Sequence, residues 1–233
     1  MQSIDIHEVG ALQTILDHVR EEAVLLQLPT VYTLVAAPTR QGVEQLNRLK
    51  DRLSGKNYGT VMGRCENFLN QAIEGALPTY FRSARRLERM QGAFVRTAFT
   101  AEDFNSSVIR GGTHQSLILD GIHRQLFCQV EEALVDSMDL DLWGGREVSS
   151  LLCTSANISG DPLGSITDHA RAVEFVQQRG IGLLVTCDPD LSSHGSYPIF
   201  EMGADSVSVQ REGPGLHRLL TEIPSELQPR VAA

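Results

Sequence analysis

Apolar residues in this chain recur at two different spacings, and the two alternate along its length. Val9, Leu12, Ile15, Leu16 and Val19 fall at helical intervals and predict an amphipathic helix over 7–22. Ala23 to Leu28 is a compact apolar run that reads as a strand, and Pro29-Thr30 breaks it before a second β-rich run, Val31 to Ala37. Pro38-Thr39 then opens a helix whose stripe is Val43, Leu46, Leu49 and Leu53. A strand at Tyr58–Gly63 and a helix over 65–76 follow. Ala93–Phe99 and Ser107–Arg110 read as strands, and a helix is expected over 115–135 on the stripe Leu119, Ile122, Leu126, Val130 and Leu134.

Beyond this point, 136–146 is acidic, then Gly-rich around Trp143, and reads as a loop. Helical spacing returns with Ile166, Ala170, Val173 and Val176, and Gly182–Cys187 is a strand. After the polar loop 188–196, Pro198–Glu201 and Ser206–Arg211 read as strands, and Gly213-Pro214-Gly215 starts a short last helix. With no repeat and no linker, the pattern predicts one α/β domain of mixed strand order over 1–222 and a loose tail over 223–233.

Composition narrows the class without changing the fold. A chain of 233 residues with 42% hydrophobic and 21% charged residues supports one sizeable core. The net charge of -9 argues against a surface that grips nucleic acid throughout, while leaving room for a local basic groove. Cys65, Cys128, Cys153 and Cys187 stand far apart, and none of the seven histidines pairs at ligand spacing, so neither a disulfide frame nor a metal site is expected. No signal-peptide pattern and no apolar run of about 20 residues is present, so a cytoplasmic protein without a membrane partner is expected.

The candidate chemistry lies in Cys153-Thr154-Ser155-Ala156-Asn157-Ile158-Ser159-Gly160-Asp161-Pro162. Hydroxyls and a carboxamide clustered after a strand suit ligand binding beyond the strand's carboxyl end, and equally a loop of local Asx-type turns. Lys50 and Arg52, with Lys56 downstream, read either as an ordinary cationic helix end or as cations aimed at a phosphate or carboxylate. Arg82, Arg85, Arg86 and Arg89 would share one helical face, as a polyanion surface or as a solvated, salt-bridged one. The standard phosphate loops and the HExxH and GxSxG motifs are absent, which leaves groups that bind and polarise anions.

Thr154-Ser155-Ala156-Asn157-Ile158-Ser159-Gly160 resembles the signature of the YrdC-like family, the threonylcarbamoyl-AMP synthases of tRNA modification. Further similarities fall in the same order. Pro29-Thr30-Val31-Tyr32-Thr33-Leu34 resembles the family's early strand, and Lys50-Asp51-Arg52 resembles its KxR helix end with Lys56 in the downstream basic position. Val108-Ile109-Arg110 and His114 resemble its strand Arg and following His, and Ser196, Arg211 and Gly213 its late motifs, while its Pro-Gly-Pro turn before a Thr becomes Gly75-Ala76-Leu77-Pro78-Thr79 here, a departure.

The resemblance implies a twisted, open mixed sheet with flanking helices and a concave cleft. It implies a nucleotidyltransferase that joins L-threonine, bicarbonate and ATP, with Mg2+, into threonylcarbamoyl-AMP, releasing pyrophosphate. It implies catalytic roles for Lys50, Arg52, Ser155 and Asn157. Substrate and nucleotide contacts would come from Thr30, Tyr32, Lys56, Thr79, Arg110, His114, Thr154, Ser196 and Arg211. The sequence also departs from the family: Pro29-Thr30 runs directly into Val31, Thr33 stands where the family usually has Gly, and 82–92 and 136–146 look like insertions beside the cleft. Two other readings stay open. One is a carbamoyl-transfer enzyme with another acceptor. The other is a non-catalytic module that binds nucleotide or RNA, including double-stranded RNA or tRNA, or hands on to a tRNA-modifying partner.

Overall fold

A computed structural model describes residues 1–51, 56–187 and 195–228. Its strands are β1 (Gln2–Asp5), β2 (Val24–Gln27), β3 (Tyr32–Ala36), β4 (Gly59–Met62), β5 (Ala93–Ala98), β6 (Thr113–Ile118), β7 (Leu152–Ser155), β8 (Leu183–Thr186), β9 (Ile199–Gly203) and β10 (Ser206–Arg211). They form one mixed sheet in the order β1-β8-β2-β3-β7-β4-β6-β5-β9-β10. The pairs β1/β8, β2/β8, β4/β6 and β5/β9 are parallel, and the remaining neighbours are antiparallel.

The helices are α1 (Ala11–Glu21), α2 (Arg40–Lys50), α3 (Cys65–Gln71), α4 (Ala84–Leu87), α5 (Gly121–Ala133), α6 (His169–Arg179) and α7 (Leu216–Thr221). They divide between the two faces of the sheet according to which strand residues they cover. Val43, Leu46 and Leu49 of α2, Phe68 of α3, Leu87 of α4, Phe175 of α6 and Leu219 of α7 share a core with Tyr32, Leu34, Val95 and Leu152. Ile15, Leu16 and Val19 of α1 pack with Leu126, Phe127 and Val130 of α5 on Val31, Val35, Phe94 and Leu117 of the other face. Each such buried aliphatic side chain contributes about 2 kcal/mol. The period-two alternation of the strands thus divides their buried apolar residues between two cores.

Local signals explain where several helices begin. Thr39 caps α2, its hydroxyl accepting from the Gly42 amide at 3.1 Å, and Asp168 caps α6 through the Arg171 amide at 2.9 Å. The start of α3 is capped from a distance, because the buried Glu131 carboxylate of α5 accepts from the Gly63 and Arg64 amides and Asn67 Nδ2, each at 3.0 Å. Ser150 Oγ also donates to it.

The structure corrects several expectations. The 115–135 helix is two elements, strand β6 and helix α5, separated by Leu119-Asp120, and α5 opens on Gly121, whose φ of 55° lies outside what other residues adopt readily. Ser107–Arg110 is not a strand, and only Arg110 forms an isolated bridge, to Thr113. Val9, placed in the α1 stripe, is fully exposed, and β1 was not foreseen.

The four arginines share no face, because α4 gives way after Leu87 to a 3-10 turn over Glu88–Met90. Arg82 donates to Leu77 O, Arg86 to Tyr80 Oη and Arg89 to Glu222. Leu87, Met90, Leu142 and Trp143 pack into the core on the α2 side, so most of 82–92 and 136–146 lies away from the cleft described below. The tail is not loose from residue 223, since Ile223 is buried and Leu227 packs on the core. Among the described residues no helix is long and apolar enough to cross a membrane.

Candidate functional site

The α1/α5 face of the sheet is not covered along its whole length, and its uncovered part is the floor of a cleft of about 380 Å3. The floor follows the strand registers. Thr33 pairs with Ser155, Cys153 with Gly59, Arg96 with Gln115, and Phe94 with both Leu117 and Ile199, while Ile199 faces Arg211. Gly59 keeps this floor low. A β-carbon there would come within 2.8 Å of the Phe94 ring and 3.1 Å of Gln115, so a larger residue would collide with the residues beside it.

At the carboxyl end of β7 the polar stretch turns away from the sheet, and Lys50, the last residue of α2, holds it. The Lys50 side chain is only 2% exposed. Its Nζ donates to Ser155 O, to Asn157 O at 3.0 Å and to Asn157 Oδ1 at 2.8 Å. The Ser159 amide returns a bond to Lys50 O at 2.9 Å. A buried ammonium is stable only with such partners, so the cation and the loop fix one another. Asp51 follows with φ 45° and pairs with Arg179 of α6 at 2.6 Å, which anchors the helix end.

Other cations surround the cleft. Lys56, Arg110 and Arg211 line it together with Lys50, and among the described residues no Asp or Glu does. Arg211 donates through Nε and Nη2 to Tyr197 O at 3.0 and 2.6 Å. Burial of its guanidinium lowers its pKa, and Arg96 lowers it further, yet an arginine stays cationic at neutral pH. Arg96 donates to Gln115 Oε1 at 2.5 Å, and its own pKa is lowered by burial, an effect that the neighbouring Glu201 carboxylate opposes and Arg110 reinforces. In a protein of net charge -9, these cations converge on one place.

Of the residues named from sequence, Lys50, Lys56, Arg110, Thr154, Ser155, Asn157, Ser196 and Arg211 line this cleft. Ser155 Oγ donates to Asn157 Oδ1 at 3.3 Å, and Ser196 Oγ meets Ser165 Oγ at 2.8 Å. Arg52 lies outside the described residues. Four others are elsewhere. Tyr32 faces the α2-side core, with its hydroxyl 3.2 Å from His169 Nδ1 and its pKa pushed up to about 12 by burial and Asp168. His114 is behind the sheet as well, bridging Val108 O and Thr60 Oγ1 at 2.9 and 3.0 Å, and burial pushes its pKa down to about 4. Thr79 is exposed at the start of a 3-10 turn.

Thr30 lines a second cavity instead of the cleft. Thr33 and Cys153, from the two stretches singled out in the sequence, line the site as well, whereas Tyr197 and the edge residue Arg96 were not among the residues named from sequence. The pleat of Ala93–Ala98 carried the signal for Arg96, since Phe94 and Arg96 must share a face.

No protein-family model and no curated protein sequence matches this chain. Solved structures do resemble it. P. abyssi Sua5, solved with L-threonine, matches at 17% identity with a TM-score of 0.65, over 96% of this chain and 62% of Sua5. A hypothetical protein of Streptococcus mutans matches at 14% identity and TM-score 0.67, over 95% and 92% of the two chains. E. coli YciO matches at 12% identity and TM-score 0.63, over 91% and 93%. The chain therefore spans less than two thirds of Sua5, and the fold it shares with these structures is the YrdC-like one.

Proposed function

We propose that the cleft binds ATP and an amino acid and joins them, through a carbamate, into an N-carbamoyl adenylate of the threonylcarbamoyl-AMP type, for use in tRNA modification. The observation that carries this reading is the lining of the cleft: Lys50, Lys56, Arg110 and Arg211 with Ser155 and Asn157, and no carboxylate among the described residues. Such a surface accepts a polyanion and repels nothing in it. Sua5, which shares the fold, holds L-threonine.

In the proposed reaction the amine adds to CO2 and loses a proton, giving a carbamate. A carbamate oxygen attacks the α-phosphorus, the bond to the β-phosphate bridging oxygen breaks, and pyrophosphate leaves with that electron pair. Charge on the pyrophosphate grows as the bond breaks, and Lys56, Arg110 and Arg211 are the cations that would stabilise it. Lys50 acts differently: it fixes the loop from which Ser155 and Asn157 face the cleft. No described carboxylate lines the cleft to hold a metal, so Mg2+ would arrive on the phosphate oxygens and supply further charge neutralisation there.

A second reading is the same chemistry on an amine other than L-threonine. Thr33, standing where the family usually has Gly, puts its side chain in the cleft beside Ser155. The test is incubation with ATP, Mg2+, bicarbonate and L-threonine, followed by mass spectrometry. Threonylcarbamoyl-AMP and pyrophosphate, both absent with Arg52→Ala, support the first reading. Pyrophosphate without that product supports the second, and ATP binding without turnover overturns both.

A further inference from the structure

A separate cavity of about 450 Å3 lies between α3 and the segment 135–149, and it shares no residue with the cleft. One of its walls comes from 136–146, the stretch that reads as an insertion. Asn67, Gln71, Val135, Met138 and Arg146 are among its lining residues.

Each of the three polar side chains is tethered at one atom, which fixes what it has left to offer. Asn67 Nδ2 donates to the buried Glu131 carboxylate at 3.0 Å, so Oδ1 is the atom this amide can turn to a ligand. Gln71 Nε2 donates to Glu147 O at 2.9 Å, which leaves Oε1. Neither amide can be reversed, because its NH2 group already meets an acceptor. Arg146 Nε donates to Phe99 O at 2.8 Å, which leaves the two terminal nitrogens. The turn that carries Arg146 is pinned in its own right. Buried Trp143 donates from Nε1 to Pro38 O at 3.0 Å, and Gly145 takes a φ of 85°.

The cavity therefore offers two fixed acceptors and a forked donor, with Val135 and Met138 as apolar surface beside them. A phosphate or carboxylate satisfies Arg146 and meets the amide oxygens, and the Glu147 side of the lining, with oxygens of its own. An ammonium satisfies the amide oxygens and meets Arg146. A flat ring with two adjacent donors beside two adjacent acceptors satisfies all three. Among the RNA bases guanine alone carries that set, with N1–H and the 2-amino group next to O6 and N7, and a guanidinium fork suits O6 and N7.

We propose that this cavity binds a guanine base, with Arg146 on O6 and N7, the Asn67 and Gln71 oxygens on N1–H and the 2-amino group, and the ring against Val135 and Met138. The site lies outside the synthase reading and does not rest on it.

Calorimetry on the full chain with guanosine tests it. Guanosine is expected to bind, and inosine, which lacks the 2-amino group, to bind about tenfold or more weakly. Arg146→Gln and Gln71→Met are each expected to raise the guanosine Kd about tenfold or more, with melting temperatures showing that they fold. Arg146→Gln also loses the bond to Phe99 O, so Gln71→Met decides the matter if the arginine variant melts early. Saturating ATP is expected to leave the guanosine Kd within about twofold. No binding of guanosine, adenosine bound as tightly, a Kd unmoved by both substitutions, or displacement by ATP overturns the site. ATP binding retained without guanosine binding leaves the synthase reading intact. A short single-stranded RNA with one G, bound more tightly than guanosine, assigns the base to a strand, and equal or weaker binding assigns it to a free nucleoside.

Discussion

The Lys50 ammonium lies 2.8 Å from Asn157 Oδ1 and 3.0 Å from Asn157 O, so one side chain holds both the amide and the backbone of the loop. Replacing it removes this donor from the part-buried Ser155 and Asn157 carbonyl oxygens. Lys50→Met is expected to lower unfolding free energy by about 3 kcal/mol in urea titrations and to weaken ATP binding at the same time. A variant as stable as the parent would show that the loop holds itself.

Arg96 is partly buried beside Gln115 and adds charge to the cleft without lining it. Arg96→Gln is expected to raise the Kd for ATP about tenfold in low salt and by less in 0.5 M salt, because ions screen a charge acting across a gap. Equal losses at both salt concentrations would make the effect one of packing.

Gly59 allows Phe94 and Gln115 to close the floor. Gly59→Val is expected to cost about 1–3 kcal/mol through overpacking and to abolish nucleotide binding measured by calorimetry. Retained binding in a folded variant would mean the ligand does not reach the floor.

Acid should weaken the fold through histidines that do not line the cleft. His114 has a folded pKa near 4, and His123, bonded to Gln27 O, is also lowered by burial. Between the unfolded value near 6.5 and the folded value, the unfolded chain binds more protons, so stability rises with pH there. The contribution is complete above about pH 6.5 and is lost as pH falls towards 4. For His114 it is on the order of 3 kcal/mol. Denaturant titrations at pH 7.5 and 4.5 should show this loss, and His114→Gln should reduce it. A pH-independent stability would contradict the neutral, buried imidazole.

Most of the sheet was legible because short apolar runs bounded by Pro and Gly have few alternatives, as at Val24–Gln27 and Tyr32–Ala36. What misled was burial on both faces. Thr113–Ile118 sits between β4 and β5 and shows no clear alternation, so its residues merged with the helix that follows Gly121. The polar loop and Lys50 were readable from chemistry alone, whereas their mutual bonding was not, because it joins segments far apart in sequence. Tyr32 and His114 were placed by motif order, but the pleat turns each to the face opposite its cleft-lining neighbours Thr33 and Gln115. Order along a chain does not reveal which way a side chain points.

The sheet order also has a consequence for synthesis. Among the described strands, β1 has β8 as its one neighbour, with Gln2 beside Leu183, so it waits for a strand made about 180 residues later. β5 waits in the same way for β9 on one side. Pairings of such separation close slowly, after the β2/β3 hairpin and the local helices. The cleft lining runs from Val31 to Arg211, so a nascent chain that has not yet reached β10 lacks one of the cations that line it.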